Sequence, residues 1–185
     1  MTMNASLLSN RLWPATGFLR NAVLAVVGSL IVAAAAQVNV PMLPVPMTLQ
    51  SLAVLMIGAA YGARLGAATL ALYALEGAIG LPVFAGFKSG VMLASFGYVL
   101  GFIVAAYVVG ALAERGWDRS PLKMFAAMLI GAVVLYVPGL MWLSAWIGTE
   151  KAIQFGLLPF IPSDLVKAAV AALGFPAAWA LLGRR

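Results

Sequence analysis

The chain runs in long unbroken apolar stretches rich in Ala, Leu and Gly, cut by short polar breaks or breaks bearing Pro and Gly. A membrane-spanning helix needs about 20 apolar residues to cross a hydrocarbon core of roughly 30 Å. Six stretches meet or approach that length, at residues 19–38, 47–63, 65–82, 92–113, 122–147 and 159–182. The second and third share one apolar run, divided by Gly62-Ala63-Arg64. A single helix through that run would hold Arg64 at mid-membrane, where a charge is costly, so the pattern predicts a tight hairpin. A β-barrel would show alternation in segments of about 10 residues, which this pattern lacks. The predicted fold is therefore an all-α integral membrane protein, with residues 1–185 forming a single domain of six transmembrane helices. No long repeat or low-complexity tail interrupts it.

Composition agrees. Of the 185 residues 64% are hydrophobic and 9% charged, where soluble domains carry about 25% charge. Eleven basic and five acidic side chains cannot wet the surface of a soluble domain of this size. Membrane lipid must supply most of the solvation. The chain has no Cys and no His, which removes disulfides, thiolate chemistry, His-ligated metals and Ser–His catalysis together. We expect no metal and no cofactor.

The charges also orient the chain. Arg11, Arg20, Arg64, Arg115, Arg119, Lys123, Arg184 and Arg185 fall on one side of the predicted spans, and only Lys88 and Lys151 on the other. The positive-inside rule places the first group, and with it both termini, in the cytoplasm. An even number of spans demands the same. The formal net charge of +6 would suit a nucleic-acid binder, but membrane topology already requires it, and no nucleic-acid partner is expected. Arg11, Arg20 and the apolar run ending in Ala33-Ala34-Ala35 have the outline of a cleavable signal peptide; we read them as a retained first span. The expected location is the cytoplasmic (inner) membrane, crossed several times.

Ionisable residues within spans are expensive and are functional candidates by default. Glu76, Asp164 and Lys167 qualify, with Lys88 just outside in the third external loop. Asp164 and Lys167 are three apart and share a helix face. With a rise of about 1.5 Å per residue, Lys167 lies roughly 7–8 Å below the outer end set by Pro162, and Glu76 roughly 9 Å below the end set by Pro82. All these groups belong to the outer part of the bundle and can converge on one cavity open to the exterior. The plainer alternative is a self-neutralising Asp164–Lys167 pair that locks its helix. A buried pair, however, contributes little net stability, because desolvation offsets attraction. For Glu76 the alternative is a partner for Lys167 or Lys88, and for Lys88 a snorkelling interfacial residue.

Aromatic residues surround the same level: Phe84, Phe87, Trp142, Trp146 and Phe160. An interfacial belt accounts for most of them, leaving one or two for a pocket wall. Pro41, Pro44 and Pro46 stiffen the first external loop, either as a plain connector or as a cap over a cavity. Ala25, Ser29 and Ala33 recur at four-residue spacing in the first span and suit internal packing as well as docking to a partner. Arg115, Asp118, Arg119 and Lys123 read as a short charged loop without a catalytic pattern. No G-x-x-x-x-G-K-[ST] occurs; Gly86-Phe87-Lys88-Ser89 lacks its spacing. An intramembrane aspartyl hydrolase needs two facing carboxylates, whereas Asp118 and Asp164 fall on opposite sides. The chain does not read as an enzyme.

Three segments resemble a known family. Val45-Pro46-Met47-Thr48-Leu49-Gln50, then Leu72-Tyr73 through Gly80-Leu81-Pro82-Val83-Phe84-Ala85-Gly86, and then Pro159-Phe160-Ile161-Pro162-Ser163-Asp164-Leu165-Val166-Lys167 look like BioY, the biotin-specific substrate-binding (S) components of energy-coupling factor (ECF) transporters. The likeness spans about residues 20–182. It implies six helices with a biotin pocket near the outer face, no resident cofactor, and as partners a transmembrane coupling protein and two cytoplasmic ATPases. It also implies a substrate-binding set of Asp164, Lys167, Glu76, Lys88, Phe84 and Gln50, of which Asp164 and Lys167 match the family's last-helix Asp and Lys. Homo-oligomerisation is left open. One segment departs from the family pattern. Members commonly enter the fourth helix on Gly-Pro-Thr-Gly-Gly-Tyr, where this chain has Leu93-Ala94-Ser95-Phe96-Gly97-Tyr98. Biotin suits the residues: Asp164 can accept from a ureido N–H, and Lys167 can donate to the ureido carbonyl or the carboxylate. An S component for another vitamin, or an assembly subunit without a ligand, remain the alternatives.

Overall fold

The computed structural model describes residues 7–13 and 17–182; Arg184 and Arg185 lie outside them. The chain is mostly helical. Helices α1 (Leu8–Leu12), α2 (Phe18–Gln37), α3 (Gln50–Tyr61), α4 (Ala63–Ala78), α5 (Phe96–Glu114), α6 (Pro121–Ile147), α7 (Thr149–Gly156) and α8 (Ile161–Leu182) are joined by short connections. Strands β1 (Asn39–Val40) and β2 (Met47–Thr48) pair antiparallel between α2 and α3, Asn39 opposite Thr48 and Val40 opposite Met47. By length and composition four segments can cross a membrane: Phe18–Gln37, Phe96–Glu114, Pro121–Ile147 and Thr149–Leu181. Helix α3 has 12 residues and α4 has 16, lengths of roughly 18 and 24 Å at the standard rise.

Three of the apolar stretches overrun their helices at the same end. The second begins as strand β2 rather than helix, the third stops at Ala78, and the fourth starts only at Phe96. Gly80, at φ +107°, turns the chain out of α4; of the overrunning residues Thr48 and Ser95 line the cavity described below, while Ile79, Leu81 and Met92 are exposed. Helix α7 was not expected. Gly148, at φ +84°, ends α6, and Thr149–Gly156 then forms a short helix whose Ala152 and Gly156 are buried.

The break at Gly62 is the tight hairpin that the sequence requires. Gly62 has φ +84°, and its N–H donates to Gly58 O at 2.9 Å. A β-carbon on Gly66 would lie 3.0 Å from Gly58 Cα, so α3 and α4 return on each other at near backbone contact. Helix α5 crosses behind this turn and packs against α3, α4 and α6. Its inner face buries Phe102, Ala105, Ala106 and Val109 against Leu70, Tyr73, Met124, Met128 and Leu143. Close approach of small residues is what drives helix association where no water remains to be expelled.

At the end opposite the β-hairpin, a 3-10 turn (Trp117–Arg119) joins α5 to α6. Asp118 is not a solvated loop residue, as its charged neighbours suggest in sequence. It is 2% exposed, accepts a hydrogen bond from Trp179 Nε1 at 2.6 Å, and lies beside Arg119, whose guanidinium stacks 4.7 Å over the Trp179 ring. The turn thus clamps the far half of α8. Burial pushes the Asp118 carboxyl above the usual carboxylate range, opposed in part by the Trp179 bond and the Arg119 charge.

Two stability measurements test this packing. A β-carbon on Gly110 would sit 2.4 Å from the Gly62 carbonyl carbon, so Gly110→Ala should cost about 1–3 kcal/mol and lower the melting temperature in detergent. Gly174→Ala, which meets nothing within 4 Å, should not lower it. The raised Asp118 carboxyl holds its proton more tightly in the folded state. Its contribution is therefore largest at low pH and is lost as pH rises from about 4 through the raised value. Asp118→Asn should flatten that descending limb of melting temperature against pH; parallel profiles for variant and parent would contradict the buried carboxylate.

Candidate functional site

The helix ends nearest the β-hairpin surround a cavity beneath it. Val45, Pro46 and Thr48 from the hairpin, Gln50 and Ser51 from the start of α3, and Phe84 and Ala85 from the α4–α5 loop close one side. Ser95 at the entry to α5, Tyr98, Val99 and Phe102 of α5, Leu135 and Tyr136 of α6, with Phe160 and Lys167, form the rest. The Pro-rich connection is thus a cap, fixed by the two residue pairs between β1 and β2 at its base. Apolar walls with a few convergent polar groups are typical of small-molecule sites.

Lys167 is the one charged side chain among the described lining residues. Its Nζ donates to Thr48 O at 2.9 Å, to Ser51 Oγ at 2.8 Å and, more loosely, to Asp164 Oδ1 at 3.4 Å. The pair is three residues apart on one face of α8, with side chains 12% and 11% exposed. The shorter two contacts cross to the hairpin and α3, so Lys167 is bound more closely to its neighbours than to Asp164. Asp164 stands one step behind the wall. Its Oδ2 accepts from Tyr136 Oη and its Oδ1 faces Ser51 Oγ at 3.5 Å. Tyr136, Asp164, Ser51 and Lys167 form one connected network, in which the carboxylate offsets the ammonium charge without entering the cavity.

Gln50 lines the cavity and is held by Tyr73: its Nε2 donates to Tyr73 Oη at 2.6 Å, and Tyr73 donates onward to Val83 O at 2.9 Å. Phe84 lies edge-on to Tyr73 and Phe96, with ring centroids 5.5 and 6.2 Å apart. Its seat requires Gly77, where a β-carbon would come within 2.0 Å of the ring. Gln37, at the end of α2, pins the same loop by donating to Phe84 O and accepting from Phe87 N, both at 3.1 Å.

The structure does not bring Glu76 or Lys88 to the cavity. Glu76 is not among the residues that line the cavity and lies on the side of α4 that packs against α2. Its carboxylate accepts from Ser29 Oγ of α2 at 2.9 and 2.7 Å, a partner that is neither Lys167 nor Lys88. The Lys88 backbone closes a turn by accepting from Phe84 N at 3.0 Å, and its side chain is exposed. Of the aromatic candidates, Phe84 and Phe160 line the wall. Trp142 lies behind it, donating to Leu93 O at 3.0 Å and packing on Phe96; Phe87 and Trp146 are exposed. The sequence left out Thr48, Ser51, Tyr98 and Tyr136. Hydroxyl side chains on apolar helices carry no signal until their facing partners are known.

A sequence model of the BioY family matches residues 3–184. The chain belongs to the BioY family. Relatives include a probable biotin transporter BioY of Pyrococcus horikoshii, 39% identical over 141 residues, covering 75% of this chain and 83% of the relative. The biotin transporter BioY of Thermotoga maritima is also 39% identical, over 142 residues and the same shares of each chain. That of Rhizobium etli is 40% identical over 148 residues, 74% of this chain and 79% of its own. The fold matches a solved crystal structure of the S-component for biotin from an ECF-type ABC transporter. The TM-score is 0.74 at 21% identity, covering 88% of this chain and 94% of that one.

Within the BioY pattern, the geometry gives Gly97-Tyr98, the part of the helix-entry segment that this chain keeps, a packing role. A β-carbon on Gly97 would lie 2.2 Å from Trp142 Cβ and 2.7 Å from Pro138 O, so glycine lets α5 and α6 touch. Tyr98 Oη donates to Gly156 O of α7 at 2.9 Å, and its ring meets Tyr136 edge-on at 6.1 Å. The network yields one test. Tyr136→Phe removes the hydroxyl donor to a largely buried carboxylate, which costs about 1–3 kcal/mol. The melting temperature of the ligand-free protein should fall, and an unchanged value would show that the Tyr136–Asp164 bond carries no weight.

Proposed function

We propose that this chain binds biotin in the capped cavity and serves as the substrate-binding S component of an ECF-type transporter that takes biotin up. The carrying observation is an amphipathic cavity with one cationic lining residue, Lys167, in a chain of the BioY family. Biotin has a single charge, its carboxylate, with a polar ureido ring at the other end and an apolar middle. The ammonium of Lys167 attracts that anion, or donates to the ureido carbonyl, by exchanging its longest contact, the one to Asp164. Phe84, Phe102, Leu135 and Phe160 cover the thiophane ring and alkyl chain, while Gln50, Ser51 and the tyrosine hydroxyls meet the ureido group. A cationic ligand such as thiamine would face Lys167 with like charge, which disfavours that alternative.

In this reading the protein is a transport component and not an enzyme. Helices α2, α3, α4, α5, α6 and α8 all cross the cytoplasmic membrane as one domain, with both termini in the cytoplasm. Support comes from Arg20, Arg64 and Arg115, which line one recess at the opposite end of α3 and α5 from the cavity, as the positive-inside rule requires of a cavity that faces outward. Lacking a phosphate-binding loop, the chain depends on a transmembrane coupling protein and two ATPase subunits for ATP-driven release. Asp164 acts by holding Lys167 and Tyr136 in place, and Glu76 and Lys88 lie outside the site.

Calorimetry on the purified full chain tests this. A charge-assisted bond in a dry site is worth about 1.5–3 kcal/mol, so Lys167→Ala should weaken biotin binding at least tenfold. Asp164→Asn should also weaken it more than tenfold, through Lys167. Glu76→Gln should leave it nearly unchanged. Full affinity in Lys167→Ala would remove the site, and heat of binding from thiamine, riboflavin or niacin in place of biotin would change the substrate.

A further inference from the structure

At the arginine-rich end, a recess opens beside α2, α4 and α5, and plays no part in the cavity described above. Arg20, Asn21, Tyr61, Arg64, Tyr107 and Arg115 supply its polar wall. Arg20 is 8% exposed, and its guanidinium donates only to neutral acceptors: Trp13 O at 3.0 Å, Asn21 Oδ1 at 3.3 Å and Asn10 Oδ1 at 2.9 Å. Among the described residues none of the three arginines forms an ion pair. The lone carboxylate in the recess, Glu114, accepts from the backbone N–H of Ala63 at 2.9 Å, at the start of α4. Three cations against one carboxylate leave the recess strongly positive, with a buried charge not neutralised by any carboxylate.

Two apolar tracks leave this recess along the bundle. Along α4 and its C-cap the exposed residues Arg64, Ala68, Ala71, Leu75 and Ile79 follow one helix face, and along α5 and its C-cap the exposed Leu100, Val104, Tyr107 and Arg115, with the half-buried Ala111, follow another, at the spacing of a continuous stripe. Each track ends in an arginine at the recess, and these two helices pack side by side. An anion with two long apolar tails fits this shape, and a small soluble anion leaves the tracks unused. We propose that the recess is a binding site for an anionic phospholipid, its phosphate held between Arg20, Arg64 and Arg115 and its acyl chains along α4 and α5. In the orientation proposed above, this lipid belongs to the cytoplasmic leaflet, whose headgroups carry the negative charge that basic pockets between helices recognise.

The test uses the full chain in detergent, with dioleoyl phosphatidylglycerol, dioleoyl phosphatidylcholine and soluble glycerol 1-phosphate as probes, read by native mass spectrometry and by melting temperature. Phosphatidylglycerol should be retained and should raise the melting temperature, with phosphatidylcholine much weaker and glycerol 1-phosphate without effect. Removing one arginine should weaken retention of phosphatidylglycerol about fivefold, so Arg64→Gln and Arg115→Gln together should erase the preference. Both side chains are exposed, and circular dichroism checks that the double variant stays folded. Should it not, Arg64→Gln alone gives the same reading. Equal retention of the two lipids, or a preference that survives both substitutions, overturns the proposal. Stabilisation by glycerol 1-phosphate equal to that by phosphatidylglycerol also overturns it, in favour of a free-anion site. Because these readouts need no biotin, they stand or fall independently of the outer cavity.

Discussion

An ammonium group placed among apolar helices must have its charge and its N–H donors satisfied by protein, because water is scarce and an unpaired buried charge is prohibitive. Lys167 meets that demand through Thr48, Ser51 and Asp164, and most of the hairpin end of the molecule follows from it. The contact with Thr48 ties α8 to the strand hairpin, and the contact with Ser51 ties it to the first turn of α3. Asp164, needed to offset the charge, in turn requires the hydroxyl of Tyr136 from α6. The arrangement holds α3, α6, α8 and the cap in register around a space they do not fill. A self-contained ion pair would have closed that space. Here the carboxylate is withdrawn behind the wall and the ammonium is left at its surface.

The interior beneath is built on the opposite principle. Around α5 the helices meet through backbone, at Gly58, Gly101 and Gly110, where a β-carbon would come within 2.4–2.6 Å of main-chain atoms of a facing helix or turn. Glycine seats of the same kind recur at the cavity end, where a β-carbon on Gly77 or Gly97 would come within 2.0–2.2 Å of Phe84 or Trp142, and polar and aromatic contacts are added to them there. Asp118, clamped by Trp179 and Arg119, ties the far half of α8, the helix that carries Lys167, to the α5–α6 turn.

Family membership and cavity geometry carry different parts of the functional argument. The BioY match covers nearly the whole chain, and relatives named as biotin transporters are about 40% identical. The fold likeness alone, at 21% identity, speaks for architecture. It is the cavity that says how such a ligand would be held. It also separates residues that share a sequence motif. Lys167 lies on the wall, Asp164 behind it, Lys88 outside, and Glu76 on the seam with α2, where Ser29 of the small-residue repeat receives it.

Hydropathy and charge by themselves determined that the chain is helical and lipid-solvated, that Gly62 breaks an otherwise continuous apolar run, and that Asp164 and Lys167 share one face. Each of these follows from local periodicity or from the cost of a charge in oil, both of which are written residue by residue. The tertiary structure decided the rest. Apolar residues at 79–82 and 92–95 look helical in sequence, but they belong to the α4–α5 loop, since hydropathy does not tell a helix from an apolar connection that turns at Gly80. The hydroxyls of Thr48, Ser51, Tyr98 and Tyr136 acquire roles only when segments more than a hundred residues apart in the chain, such as 48–51 and 164–167, come within hydrogen-bonding distance. Glu76 could not be assigned from its depth in a span, because depth fixes the level of a side chain and not its direction around the helix. That direction is set by which neighbour the helix packs against, which no local pattern contains.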